Sequence, residues 1–376
     1  MIRGLARAGL AVSCAGLIAA CGSQPGGVTS SGPRPVTAPL STSLVTAQGT
    51  WAIAVMGGSA GSHNNFWQLF VRPAGASRWS LVTPQGVADN GGLVAAGGGA
   101  YLVVGFRPSQ NLVFSPLATS TDTGRNWTPG LLDAGLADTP GAIAVGPSGR
   151  TLALLRNGTI EQAATADSAA AGRWTPLTTL KALAASAPGR SCGLEGVTAV
   201  SFGPDKNPIA AGSCARPGAA GVFTDAGGTW RSAGLALPGP LEKDRVRVLA
   251  LTALPGGNAA LLAAGNSLLA AWWNGTRWTV SAPTAGGALR ALGFGPDGAA
   301  WLLLGGGRAE AIGGPGSSWR ALPLAPPGTG TLAAGGGGSY DALAAAGSRL
   351  TVWRLAQGAW AKVQQITVPV QYGSSG

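Results

Sequence analysis

A turn that ends in tryptophan recurs along this chain and limits its fold more than any other feature. Its fullest copy runs from Ser120 to Trp127, with Asp122, Gly124 and Asn126 between them. An Asp at this place can fold its carboxylate back onto nearby backbone N–H groups. Gly124 supplies the positive φ of a tight reversal, and Trp127 opens the next strand by burying a large ring. A second copy, Thr224 to Trp230, keeps Asp225, Gly227 and Trp230 at the same offsets. Tryptophans that close such turns stand at 79, 127, 174, 230, 278, 319 and 360, separated by 48, 47, 56, 48, 41 and 41 residues. A period of this length marks a supersecondary unit repeated along the chain.

The pattern Ser-x-Asp-x-Gly-x-x-Trp resembles the Asp-box, or bacterial neuraminidase repeat, of sialidase-like β-propellers. That resemblance, with the period, predicts an all-β fold: a seven-bladed β-propeller of four-stranded antiparallel blades over residues 42–371. The 63 glycines and 26 prolines agree with many turns. In the second repeat the strands are expected near Leu93 to Ala96, Tyr101 to Phe106 and Leu112 to Thr119, with a fourth after Trp127. In the sixth they are expected at Leu289 to Phe294, Ala300 to Leu304, Ala309 to Ile312 and Arg320 to Leu324. The first strand is expected near Leu44 to Ala47. Turns such as Gly146 to Gly149 and Gly203 to Lys206 join first to second strands. The last repeat supplies its own fourth strand, so closure needs no exchange of a terminal strand.

Arg3 and Arg7 precede the apolar run Gly9 to Ile18, which reads as a signal-peptide core. Leu17-Ile18-Ala19-Ala20-Cys21 looks like a lipobox. Residues 1–20 are then a lipoprotein signal, and Cys21 carries the lipid that holds the protein to the outer face of a cell membrane. Residues 21–41 read as a flexible tether, and residues 372–376 as a tail. The Ala, Gly and Arg bias suggests an actinobacterial source. Only 10% of residues are charged, yet the balance is +11, which suits anionic envelope partners. No basic stripe suggests nucleic acid.

With Cys14 removed and Cys21 acylated, Cys192 and Cys214 are left in an oxidising compartment and should pair. In the fourth repeat they lie just before the first strand and just after the second, ends that antiparallel neighbours bring together. A single histidine, His63, and no second cysteine pair give no metal site, and no cofactor is implied.

In propellers the loops between fourth and first strands, and between second and third, share one face; Asp-box turns share the other. Sialidase-like families work on the first face, so Asp122 and Asp225 read as structural. Sialidases use three arginines, a Tyr nucleophile with a Glu, and an Asp. Arg107, Arg156, Arg216, Arg308 and Arg349 fall on expected loops, but Tyr101 and Tyr340 point to the opposite end and Tyr372 lies in the tail. Loop acids are Asp89, Asp133, Asp138, Glu195, Glu242 and Asp244; only Glu195 with Glu242 could form a hydrolytic pair. No catalytic residue is assigned. The longest insertions, Ala184 to Gly196, Leu237 to Arg245 and Cys214 to Gly218, surround the fourth repeat. They suggest a binding patch of Arg190, Glu195, Arg216, Lys243 and Arg245. The reading is a lipid-anchored, non-catalytic binding or scaffold protein for an envelope protein or anionic glycan, as in similar propellers that serve as assembly factors and receptors. The rival is a sialidase-like glycoside hydrolase, and a third reading is a structural wall spacer.

Overall fold

The computed structural model describes residues 41–57, 65–84, 93–106, 117–130, 140–157, 160–167, 173–237, 239–335 and 338–369. The signal peptide, residues 21–40 of the tether with Cys21, the tail, His63, Asp89, Arg107, Asp133, Asp138 and Tyr372 lie outside them, whereas Ser41, expected as tether, already belongs to a strand.

The described strands form seven consecutive antiparallel meanders. Unit 1 is β1 (Ser41–Thr46), β2 (Gly49–Gly57), β3 (Asn65–Pro73) and β4 (Ser80–Leu81). Unit 2 is β5 (Leu93–Gly98), β6 (Tyr101–Phe106), β7 (Leu117–Ser120) and β8 (Thr128–Pro129). Unit 3 is β9 (Ala142–Val145), β10 (Thr151–Asn157), β11 (Ile160–Ala166) and β12 (Thr175–Thr179). Two helices, α1 (Leu180–Ala185) and α2 (Ala187–Cys192), lead into unit 4: β13 (Leu194–Phe202), β14 (Pro208–Cys214), β15 (Gly221–Asp225) and β16 (Trp230–Ser232). Unit 5 is β17 (Val246–Leu254), β18 (Gly257–Ala264), β19 (Ser267–Trp273) and β20 (Trp278–Val280), with the short β21 (Thr284–Ala285) added to β19. Unit 6 is β22 (Leu289–Phe294), β23 (Ala300–Leu304), β24 (Ala309–Ile312) and β25 (Arg320–Ala321). Unit 7 is β26 (Thr329–Ala334), β27 (Tyr340–Ala346), β28 (Arg349–Ala356) and β29 (Ala359–Thr367).

Successive units pack face to face. Because side chains alternate across a strand, both faces of β18 are spent on neighbours. Ala260, Leu262 and Ala264 join the core shared with unit 4, through Val222 and Leu237. Ala259, Leu261 and Ala263 join the core shared with unit 6, through Leu292 and Phe294. Every residue of β18 is buried in consequence. A further core joins unit 7 to unit 1, where Leu343, Val352 and Val368 meet Ala52, Phe70 and Trp79. The ring is thereby closed, with unit 7 providing all four of its own strands.

A buried polar cluster strengthens that last junction. Asp341 on β27 accepts from Arg72 Nη1 at 2.7 Å, Trp79 Nε1 at 2.8 Å, and Arg354 Nε and Nη2 at 2.8 and 3.0 Å. Burial draws the Arg72 guanidinium below its ordinary value against the pull of Asp341, whereas the hydrogen bond to Asp341 raises Arg354. Unit 1 also reaches inward. Strand β1 pairs in parallel with the inner strand of unit 6, Ser41 with Leu292 and Ser43 with Gly293, and Trp301 Nε1 donates to Ser43 Oγ at 3.2 Å.

Several expected boundaries shift. The first strand starts at Ser41, three residues early. In unit 2 the third strand runs from Leu117 to Ser120, and residues 112–116 lie outside the described ones. Strand β25 ends at Ala321 instead of Leu324, because its partner β24 begins only at Ala309, whose carbonyl takes the last bond, from Leu322 N at 2.9 Å. Residues 184–196, expected as loop, are largely helix and the start of β13. The signal was present: Thr179 and Ser186 cap the two helices by accepting from Ala182 N at 3.1 Å and Gly189 N at 3.2 Å. At Gly189 a Cβ would lie 2.0 Å from the carbonyl oxygen of Leu183, so only glycine fits where the helices touch.

Candidate functional site

The tryptophan turns are closed by side chains. Ser120 Oγ accepts from Gly124 N at 2.9 Å, and Asp122 Oδ1 accepts from Asn126 N at 2.9 Å while its Oδ2 accepts from Asn126 Nδ2 at 2.6 Å. These bonds, led by that from the Asn126 backbone, hold the Asp122 carboxyl at a pKa of about 2. Gly124 has φ 77°. In the second copy Asp225 Oδ1 accepts from Gly228 N at 2.8 Å, and Gly227 takes φ 65°. The tryptophans reach across to the preceding unit. Trp127, Trp278 and Trp360 donate their indole N–H to the carbonyls of Val82, Ala233 and Pro323 at 2.9, 3.0 and 3.2 Å. Trp230 packs against the core between units 3 and 4. All these carboxylates serve turns.

At the opposite end of unit 4 three segments meet. Cys192 and Cys214 form a disulfide with Cα atoms 5.3 Å apart. It ties the end of α2 to the end of β14, and the following loop is bonded on both sides. Ala215 N donates to Gly193 O at 2.8 Å, Arg216 N to Cys192 O at 3.1 Å, and Gly218 N to Asp244 O at 2.8 Å. The third segment is the 3-10 turn Gly239–Lys243 with Asp244 and Arg245 behind it. Arg190, Arg216, Lys243 and Arg245 are exposed on this braced platform. Glu195, expected in a loop, is the second residue of β13; its Oε1 lies 3.5 Å from Arg245 Nη1, with the side chains 29% and 68% exposed. Glu242 is exposed and Asp244 half-buried in the same segment, so the surface carries mixed charge.

The other residues considered for chemistry are scattered. Arg156 lies near the end of β10 and Arg349 opens β28. Arg308 is committed: Nη2 donates to Ala285 O at 2.8 Å and Nε lies 3.5 Å from Glu310 Oε1. Tyr101 and Tyr340 open the second strands of units 2 and 7. Tyr340 is buried, which raises its pKa, with Arg320 over its ring at 5.7 Å. Among the described residues no three His, Cys, Asp or Glu side chains gather to hold a metal, and no helix is long and apolar enough to cross a membrane.

Sequence reasoning missed the cavity. A space of about 300 Å³ occupies the middle of the ring, lined by the inner strands of units 1 to 6. Among the described residues unit 7 contributes none of its lining, because β1 crosses to β22 in front of β26. For units 4 to 6 the lining comes from the later parts of the inner strands and reaches Pro255 and Pro296. The cavity therefore lies towards the turns that join first to second strands, the end opposite the platform. Nothing local in sequence marks it, since the walls are short apolar strands like those of the core.

Solved structures resemble this arrangement. YCF48 from Cyanidioschyzon merolae is 17% identical, with 82% of this chain and 94% of that chain covered at a TM-score of 0.50. A 6-phosphogluconolactonase-like protein from Bacteroides uniformis is 13% identical over 84% of this chain and 96% of its own, at 0.51. A protein from Lactobacillus plantarum is 11% identical over the same shares, also at 0.51. The fold is a β-propeller. At such identities the likeness concerns architecture alone. No protein-family model matches this propeller, and no curated protein sequence does.

Proposed function

We propose that this chain is an exported, lipid-anchored, seven-bladed propeller of the Asp-box kind that uses its unit-4 platform to bind a cell-envelope protein and performs no chemistry itself. Each four-stranded unit is one blade. The observation that carries the binding reading is the bracing of exposed charge. Arg216 sits on a loop fixed by a disulfide and by backbone bonds to the segments that present Arg190 and Lys243. A loop ordered beforehand loses less entropy when a partner engages it. The mixture of Arg190, Arg216, Lys243 and Arg245 with Glu195, Glu242 and Asp244 matches another protein surface better than a uniformly anionic polymer. Export and anchoring rest on Arg3, Arg7, the apolar run that follows and the small residues before Cys21.

Cross-linking in intact envelopes tests the binding reading. The wild-type chain should capture a defined protein, identified by mass spectrometry, and Arg216→Ala with Arg245→Ala should reduce its capture about tenfold. Equal capture by the double variant would remove the platform from the reading, and capture of polysaccharide alone would replace the protein partner by a glycan. Cys21→Ala should release the protein from the membrane fraction; retention would overturn the lipid anchor.

A further inference from the structure

We propose that the central cavity is a second recognition site, independent of the platform, that takes up a short, extended, uncharged peptide segment of a partner protein from the end where first strands turn into second strands. Its volume of about 300 Å³ is at the lower bound of ligand pockets. That suits a chain terminus or loop tip and excludes a folded domain.

Its chemistry narrows the occupant. Among the described residues none of those lining it is charged; Val94, Ala96, Phe202, Leu251 and Phe294 are typical of them. Among the described residues, three of the four hydroxyls on its wall, those of Ser43, Thr198 and Ser201 but not that of Thr252, are already engaged. Ser43 Oγ accepts from Trp301, Thr198 Oγ1 donates to Val248 O, and Ser201 Oγ accepts from Asn258 Nδ2 at 3.1 Å. Backbone groups remain. Strands β5 and β9 are terminal in their sheets, so each turns a row of unpaired N–H and C=O groups towards the middle of the ring. A hydrocarbon ligand would desolvate these groups without replacing their hydrogen bonds, at a cost of roughly 1–3 kcal/mol for each. An extended peptide satisfies them, as strand addition does at exposed sheet edges.

The ring already holds one example. Strand β1 lies on the inner edge of β22 in parallel register, so an inner strand of this ring accepts a further strand. At the entrance Ala253 and Pro255 are exposed and Leu254 and Pro296 half-buried, so these four residues form an apolar stretch of rim.

A displayed library of short random peptides, selected on the full-length protein, tests this. Two variants serve as counter-screens: Ala253→Trp, at the exposed entrance where the fold tolerates bulk, and Ala96→Trp, on the wall. Thermal melts establish that both are folded. The expected result is enrichment of uncharged sequences whose affinity falls about tenfold in each folded variant and whose binding slows hydrogen exchange in β5 or β9. Enrichment of charged peptides, equal binding to the variants, or no enrichment at all would overturn the proposal. So would one-to-one binding of the neutral dye Nile red, blocked by Ala253→Trp, with no peptide selected; the cavity would then be a small-molecule site. Because the platform residues are untouched, failure here leaves the envelope-protein reading standing, and the converse also holds.

Discussion

Arg72 and Asp341 meet at 2.7 Å across the junction between the first and last units, 269 residues apart in the chain. The Asp341 side chain is fully buried and that of Arg72 only 11% exposed. Removing one partner of such a pair leaves an uncompensated charge inside. Asp341→Ala strands Arg72 and also deprives Trp79 and Arg354 of their acceptor, so unfolding stability should fall by about 3–5 kcal/mol in urea titrations. Arg354→Ala should cost less, because its side chain is 26% exposed and Arg72 still neutralises the carboxylate. Equal losses would mean that the cluster does not act through Asp341.

The tryptophan latches give a second expectation. Trp278→Phe keeps most of the ring but loses the donation to Ala233 O, and Trp127→Phe likewise loses Val82 O. Each should lower stability by about 1 kcal/mol, the net worth of an ordinary hydrogen bond. The two sites lie at different junctions, so the double variant should show the sum in a thermal or urea melt.

The same residues show how far the sequence could be read. Tryptophan spacing and the Gly-Pro turns revealed the repeat because each is local: a reversal and a ring, half-buried at Trp127, are written within eight residues. The strands of unit 6 are legible for the same reason, up to Pro323. Asp341 looks like any other acid in an alanine-rich strand, and its partners Arg72 and Trp79 become neighbours only when the ring closes. The pairing of β1 with β22 is equally silent, since Ser41–Thr46 carries no pattern that selects a strand some 250 positions away. The platform was half legible. Insertion length and the cysteine pair pointed to it, whereas the helices depended on reading Thr179 and Ser186 as caps.

Disulfide removal should loosen the platform before the ring. Cys192 and Cys214 are 22 residues apart, a loop for which the loss of cross-linking costs about 3 kcal/mol. Cys192→Ala with Cys214→Ala should show a drop of that order in stability. In hydrogen exchange the amides of Ala215, Arg216 and Gly218 should lose protection first, while those of β18 stay protected until global unfolding. Simultaneous loss would show that the loop is no separate unit.

The Asp122 turn should register in acid. In the unfolded chain an aspartate titrates near 3.9, and in the folded protein Asp122 titrates at about 2. The folded value is the lower one, so the unfolded state binds the proton more readily between them. The contribution of this turn to stability is therefore fully present above about pH 4 and disappears as pH falls through about 2. Carboxyl-carbon NMR should place the Asp122 midpoint near 2. Asn126→Ala removes the side-chain donor to Oδ2 and spares the backbone donor to Oδ1, the larger cause of the shift. Its midpoint should therefore rise only part of the way towards the unfolded value. A midpoint that rose the whole way would transfer the main role to the Asn126 side chain, and one that did not move would leave the shift to the Asn126 backbone with the Ser120 hydroxyl and Arg125.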